Sequence, residues 1–246
     1  FNAKWEKNKT MKQVWIIAVT TTVVFSHDSD KEKLEWMQYY RLGSVYSDNS
    51  NIGYTVYGRL KRTTTDTFRD IRFFGHFYNN NTEIKIRQKS SRKFLSLNKM
   101  YSFNTLIYEK NTFLNVNLRY HYNYGLGWFI QKNKTGNKTV ELGVAFDNSD
   151  YLNTEQKTTY LRGGFSIDHR LYSLSTKFEI DYFYQVSEVL PSSYSLSRYQ
   201  TLVEIEWIAN NSVGIISGLT WDIQNDASNP SIFLTVSLKE NINWIF

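Results

Sequence analysis

The chain has 246 residues, of which 41% are hydrophobic and 17% aromatic, with a formal net charge of +6 and no cysteine. The lack of cysteine excludes thiolate metal sites, thiol catalysis and disulfide cross-links. No stretch approaches the roughly 20 apolar residues that a membrane-spanning helix requires, so the sequence also excludes a helical membrane protein. We expect no metal and no cofactor.

The first residues are basic, with Lys4, Lys7, Lys9 and Lys12, and we predict that residues 1–13 form a tail. A charge followed by an apolar run in 11–26 resembles an export signal. This run is dense in β-branched residues, however, which favours a strand. We therefore predict the first strand at 14–26 and expect any export signal to have been removed before Phe1.

From residue 14 onward, apolar and polar residues alternate between polar turn clusters, as a strand with two different environments requires. The predicted strands are 14–26, 32–46, 51–62, 68–78, 82–93, 99–109, 113–131, 138–147, 155–168, 172–187, 194–209, 212–224 and 230–246. A closed barrel of one bacterial chain has an even number of strands. We therefore predict about 12 strands, and expect 68–78 to be a loop or to pair irregularly.

The clearest alternation runs from Leu114 to Ile130. Its apolar face contains Leu114, Val116, Leu118, Tyr120, Tyr122, Tyr124, Leu126, Trp128 and Ile130. The other face is mostly polar. The strands at 172–187 and 194–209 repeat the pattern, and this favours one face in lipid and one in water.

The last segment, Pro230 to Phe246, alternates in the same way and ends on an aromatic residue. Bacterial outer membrane barrels usually end on such a strand, so we predict that Ile242, Trp244 and Phe246 form the signal read by the barrel assembly machinery. Glu240 interrupts the apolar face. The sequence leaves two explanations open, a bulge beside Glu240 or a contact with something other than lipid.

A soluble β-sandwich would show the same alternation. Sandwich strands average about 5–6 residues, however, and several strands here exceed a dozen. Tyr and Trp near strand ends, as at Tyr120, Trp128, Tyr199 and Trp207, fit the interfacial girdles of a membrane barrel. We predict an all-β, antiparallel up-and-down transmembrane β-barrel over 14–246 in the bacterial outer membrane, with 1–13 as a periplasmic tail.

The middle of the chain resembles a bacterial family labelled salt-induced outer membrane protein, a domain-of-unknown-function family. The matching residues are Tyr108, Glu109, Lys110, Arg119, Gly125, Gly127, Trp128 and Gly143. The resemblance covers the last 150 or so residues well and the first 90 poorly. Fewer glycines in the early strands and a more basic turn at 132–138 depart from the family pattern. The resemblance implies the fold and the location, and it supplies no activity.

Charged residues of both signs share the predicted inner face. We predict a polar network in the lumen formed by Arg119, His121, Glu141, Arg162, Lys177, Glu179, Asp181, Arg198, Glu204 and Glu206. Such a network fills a narrow barrel, whereas a barrel of about 12 strands conducts only if these residues leave a path. The sequence leaves both a plugged lumen and a conducting lumen open.

The densest basic cluster contains Lys85, Arg87 and Lys89. DNA-binding domains carry such stripes, but the chain shows no recognition helix, so we expect no nucleic-acid partner. We predict instead that these residues contact lipid phosphates, including those of lipopolysaccharide.

A lipid-modifying enzyme, an acyl hydrolase or transferase, is the competing function. It needs a histidine beside a serine nucleophile, and no such spacing surrounds His27, His76, His121 or His169. We therefore expect a non-enzymatic barrel without catalytic residues, acting as a structural or accessory subunit of an envelope assembly or as a narrow channel.

Overall fold

The computed structural model describes residues 36–48, 50–150, 156–187, 195–224 and 227–242. The predicted tail at 1–13 and the predicted strand at 14–26 lie outside these residues. So do Trp244 and Phe246, and of Ile242 only the backbone is described.

The described residues form a closed barrel of twelve antiparallel strands, in which each strand pairs with its neighbours in the chain and the last pairs with the first. The strands are β1 Trp36–Ser47, β2 Asn51–Thr63, β3 Thr67–Phe77, β4 Thr82–Phe94, β5 Leu97–Asn111, β6 Val116–Asn133, β7 Gly136–Ser149, β8 Gln156–Leu171, β9 Leu174–Gln185, β10 Arg198–Ile208, β11 Val213–Gln224 and β12 Ala227–Ile242. The predicted fold class and strand number are confirmed. No helix among the described residues is long and apolar enough to cross a membrane.

Alternation along each strand separates an apolar outer wall from a polar interior. In β6, the Tyr120 and Trp128 side chains are 52% and 56% exposed, whereas Arg119 and His121 between them are 1% and 2% exposed. The outer faces of β1 and β12 repeat this, with exposed Leu42, Leu234 and others. So large an exposed apolar surface is what a lipid-facing wall requires.

The segment 68–78 is a regular strand, contrary to the prediction. β3 pairs with β2 and β4 without a register shift. Asp70, Arg72 and His76 point inward, and Ile71 points outward. The adjacent Phe73 and Phe74 face opposite sides of the wall. Because both are aromatic, the alternation of apolar and polar residues is not visible there in the sequence.

The strand predicted at 113–131 begins and ends later in the structure, because β6 runs from Val116 to Asn133. Thr112–Leu114 form a 3₁₀ turn, which ends at Asn115 in the left-handed conformation, with φ of 53°. Asparagine tolerates this conformation better than most residues. The β5–β6 register shifts between Glu109, which stands opposite Arg119, and Asn111, which stands opposite Val116, so Leu114 and Val116 are buried inside the barrel instead of sharing the outer face with Tyr120.

The two ends of the barrel differ in their connections. At the end that contains Trp36 and Ile242, here the terminal end, the strands are joined by two to four residues. At the other end, here the distal end, the connections include the 3₁₀ turn, 150–155 and 186–197. Short periplasmic turns and longer extracellular loops are typical of outer membrane barrels.

Candidate functional site

Charged and polar side chains are most densely clustered in the lumen of the barrel. Asp70 on β3 is fully buried, and its carboxylate oxygens lie 2.5 Å from Nε of Arg59 and 2.5 Å from Nε of Arg72. Arg87 Nη2 lies 3.6 Å from the same carboxylate. One buried acid is therefore surrounded by three guanidinium groups, and these need further acceptors.

Glu179, on the far side of the lumen, is the next acceptor. Its carboxylate lies 3.6 Å from Arg72, 3.8 Å from Arg87 and 3.1 Å from Lys177. In the closed ring β9 is six strands from β3 in either direction. The Arg72–Glu179 ion pair therefore spans the full width of the barrel.

The same network continues to β1 and β10. Arg41 forms a two-point ion pair with Glu204, and Lys177 Nζ lies 4.0 Å from the same carboxylate. The Arg41 guanidinium also lies 4.8 Å and 4.4 Å from the ring centres of Tyr39 and Tyr57. We call the connected residues the central cluster: Arg41, Arg59, Asp70, Arg72, Arg87, Lys177, Glu179 and Glu204.

A second cluster surrounds Asp147 towards the distal end. Asp147 contacts the His121 ring and accepts a hydrogen bond of 2.8 Å from Arg198. Arg119 lies 3.6 Å from Asp147, 3.4 Å from Glu109 and 2.7 Å from the side-chain oxygen of Gln224 on β11. Because Gln224 stands across the lumen from β6, this cluster also fills the barrel's width.

A third cluster surrounds Glu141 on β7. It accepts hydrogen bonds from Lys89 at 2.5 Å, Tyr101 at 2.8 Å and Arg162 at 3.0 Å. Arg162 also donates to Asp181 at 2.6 Å. Nearer the terminal end, Glu206 pairs with Lys239 at 2.7 Å.

Between the central and Asp147 clusters lies a cavity of about 120 Å³. Its lining includes Lys85, Asp222, Glu83 and Arg87, and Lys85 lies 3.7 Å from Asp222. A cavity of this size has room for several water molecules. The lumen therefore combines an open cavity with ion pairs that cross it.

Inward-folded loop residues and large apolar side chains fill the distal end. Tyr78, in the β3–β4 connection, donates a hydrogen bond of 3.0 Å to Ser231 on β12, and its ring packs edge-on against Phe113 at 5.2 Å. Burial raises the pKa of Tyr78 to about 12, so the hydroxyl keeps its proton. Leu114 of the 3₁₀ turn and Leu196 of the 186–197 connection join the buried group around Phe183.

The structure places all ten residues of the predicted lumen network inside the barrel and gives each an ionic or hydrogen-bonded partner there. Sequence reasoning missed Arg41, Asp70 and Asp147, on which two of the clusters depend. Arg41 lies between the apolar Tyr40 and Leu42. This alternation is a signal that could have identified Arg41 as an inward-facing residue. Asp147 is the last residue of the predicted strand 138–147, next to a turn, where alternation no longer indicates a face.

Lys85, Arg87 and Lys89 do not lie where the sequence analysis predicted. The prediction placed them against lipid phosphates, but each points into the lumen and pairs with Asp222, Asp70 or Glu141. Every second residue of β4 faces inward. The prediction that these three residues share one face of a strand is correct. The prediction that this face lies on the outside of the barrel is wrong.

The histidines show no catalytic arrangement among the described residues. His76 lies in the lumen 3.4 Å from Glu83, and His121 contacts Asp147 and Arg198. His169 is exposed, and His27 lies outside the described residues. No group of three or more acidic or histidine side chains in the described part of the chain could hold a metal ion.

The closed ring, the apolar outer wall and the charged interior define the fold of an outer membrane β-barrel. Among solved structures, the chain is similar to the NanC porin, with a TM-score of 0.54 and 9% identity over 83% of this chain and 98% of that one. It is also similar to the KdgM porin, with a TM-score of 0.47 and 11% identity over 82% and 98%. A third is Omp33 of Acinetobacter baumannii, with a TM-score of 0.43 and 10% identity over 85% and 100%.

No protein-family model matches the chain, and no curated protein matches it. The resemblance to the salt-induced family therefore stays a prediction, and the likeness to the NanC porin supports the fold alone.

Proposed function

We propose that this protein is a non-enzymatic barrel of the bacterial outer membrane whose lumen is plugged by its own side chains, and that it serves as a structural or accessory component of an envelope assembly. The observation that carries the proposal is the pair of bridges from Arg72 and Arg87 to Glu179 across the lumen. Ion pairs of this kind, linked to a buried polar network, rigidify a polar interior, and they occupy the path a solute would take.

Single-channel recording in planar bilayers tests the plug. We expect no conductance steps from the wild-type protein. Steps should appear when Arg72, Arg87 and Glu179 are replaced by serine together with Arg119 and Gln224, because these changes remove the contacts that cross the lumen in both the central and the Asp147 clusters. The double variant Glu206→Gln/Lys239→Gln is the control, since this pair joins strands close together in the ring. Each variant must migrate differently on gels before and after boiling, as a folded barrel does.

Reproducible steps from the wild-type protein would contradict the plug and favour a narrow channel. The cavity of about 120 Å³ favours that second candidate. In a channel, enlarging lumen residues at Arg119 or Glu204 should abolish the steps.

A lipid-modifying activity would overturn the proposal altogether. The test is hydrolysis or transfer of acyl chains by the purified barrel, compared with His121→Ala. Because His121 lies in the lumen beside Asp147, we expect no activity in either protein.

The partners are also proposals. Ile242, Trp244 and Phe246 are proposed to bring the chain to the barrel assembly machinery. The other proposed partners are proteins of an envelope complex and outer membrane lipids, including lipopolysaccharide. Copurification from native membranes in mild detergent would identify a stable protein partner, and its repeated absence would count against the accessory role.

A further inference from the structure

Three arginines lie together on the outer wall near the terminal end: Arg62 on β2, Arg69 on β3 and Arg92 on β4. Arg62 stands directly opposite Arg69 in the β2–β3 pairing. Arg69 stands opposite Ser90, two residues before Arg92 on the same face of β4. Arg69 and Arg92 are exposed, while the half-buried Arg62 lies 5.4 Å from the ring centre of Trp36. We call these three residues the outer arginine cluster.

Among the described residues, the outer arginine cluster has no counter-charge. No carboxylate in the described part of the chain lies within ion-pair distance of Arg62, Arg69 or Arg92, although Asp66 is in the adjoining β2–β3 turn. Like charges directly opposite each other destabilise an antiparallel pair. The arginines of the lumen clusters, by contrast, all have acidic partners. An external anion would supply such a partner to the outer arginine cluster.

The surroundings of the cluster supply further hydrogen-bonding groups. Gln88 donates a hydrogen bond of 3.0 Å to Ser90, Ser90 stands opposite Asn104, and Arg92 stands opposite Ser102. This polar patch adjoins the apolar outer face of β6, since Asn104 pairs with Tyr124. Polar groups facing hydrocarbon are costly unless they find partners.

The cluster also adjoins apolar surface at the same end. Leu95 and Leu97, in and beside the two-residue β4–β5 turn, are 83% and 52% exposed. Trp36, at the start of β1, lies at the same end of the barrel, and tryptophan is enriched at membrane interfaces. A ligand with an anionic head and apolar tails matches this combination of charge and apolar surface.

We propose that the outer arginine cluster binds the phosphate of an anionic glycerophospholipid. Arginine forms bidentate hydrogen bonds with phosphate, and its long side chain reaches from the barrel wall to headgroup level. A second copy of the chain is a poorer occupant, because a two-fold contact would place the same three cations against each other. The proposal rests on the membrane location proposed above and does not depend on whether the lumen conducts.

Native mass spectrometry of the full chain in mild detergent, titrated with phosphatidylglycerol or phosphatidylcholine, tests the site. We expect the wild-type protein to retain phosphatidylglycerol preferentially. Arg62→Gln/Arg69→Gln/Arg92→Gln should weaken that binding at least tenfold and bring it to the level of phosphatidylcholine. The charge-matched control is Lys110→Gln/Lys138→Gln/Arg170→Gln, which should bind as the wild type does. The gel-migration assay confirms that both variants are folded.

Three results would overturn the site: no preference for phosphatidylglycerol, equal binding by the cluster variant, or equal loss in the charge-matched control. A dimer that disappears in the cluster variant would show instead that the patch is a contact between copies. Displacement of the lipid by inorganic phosphate at equal concentration would show a site for free phosphate. A conductance result affects none of these outcomes, so the two proposals fail separately.

Discussion

Glu179 on β9 and Arg72 on β3 meet across the lumen at 3.6 Å, although their strands are six apart in the ring in both directions. Arg87 and Lys177 share the same carboxylate. Removing this one acid would leave three cations without their common partner, and the barrel wall alone would have to hold its opposite sides in place.

We therefore expect Glu179→Gln to lower the free energy of unfolding by about 1–3 kcal/mol. Breaking a buried ion pair from one side costs about 3–5 kcal/mol, and this carboxylate is partly exposed. Urea unfolding in lipid vesicles, followed by tryptophan fluorescence, measures the change. Asp168→Asn, at an exposed carboxylate, should change the stability by less than about 0.5 kcal/mol. Equal effects of the two changes would argue against a structural role for the bridge.

Gly127 makes room for Tyr101. A Cβ at Gly127 would lie 2.1 Å from the Tyr101 ring, so Gly127→Ala must displace that ring and its hydrogen bond to Glu141. We expect a loss of about 1–3 kcal/mol, typical of overpacking. Gly58→Ala is the matched control, because a methyl group at Gly58 would meet nothing within 4 Å. Comparable unfolding midpoints for both variants would contradict the packing argument.

Tyr78 ties the distal connections to β12. Tyr78→Phe removes the hydrogen bond to Ser231 and should cost about 1 kcal/mol locally. Hydrogen exchange should then become faster at the Asn115 amide, which donates to Thr112 at 3.3 Å. Tyr172→Phe, at a side chain that is 90% exposed, should leave this exchange rate unchanged. An unaltered rate in Tyr78→Phe would mean that apolar packing alone holds the 3₁₀ turn.

Glu240 stays on the outer face, because β1 and β12 pair without a register shift and Gln38 donates a hydrogen bond of 2.8 Å to its carboxylate. The bulge considered from the sequence is absent from this pairing. Near an interface, Glu240→Leu should change the stability in vesicles by less than about 1 kcal/mol, whereas Leu234→Lys, deeper in the wall, should cost about 2–4 kcal/mol. Similar costs for both changes would place Glu240 at the depth of Leu234.

The fold could be predicted from the sequence because the alternation of apolar and polar residues shows which residues share each face of a strand. The segment from Tyr120 to Trp128 shows this, as its outward and inward residues were all assigned correctly. The errors arose where alternation breaks locally. Between Val116 and Arg119 the β5–β6 register shifts, and at Phe73 and Phe74 two neighbouring aromatic residues face opposite sides of the wall.

The sequence could not supply the ion pairs, because alternation gives the face of a residue and not its partner across the lumen. Arg72 meets Glu179 only because closure of twelve strands places β3 and β9 opposite each other. The outer arginine cluster was missed for a related reason. Arg62 and Arg69 become neighbours through the β2–β3 register, which depends on the turn between them.

The pairing of β1 with β12 also constrains the order of folding. Gln38 and Glu240 are 202 residues apart in the chain, whereas each other strand pair joins neighbours in sequence. Closing so long a loop is entropically costly, and non-local pairings of this kind form slowly. Until β12 arrives, β1 and β11 present open hydrogen-bonding edges that could pair with another chain. The final sixteen-residue strand therefore converts an aggregation-prone sheet into a molecule without edges.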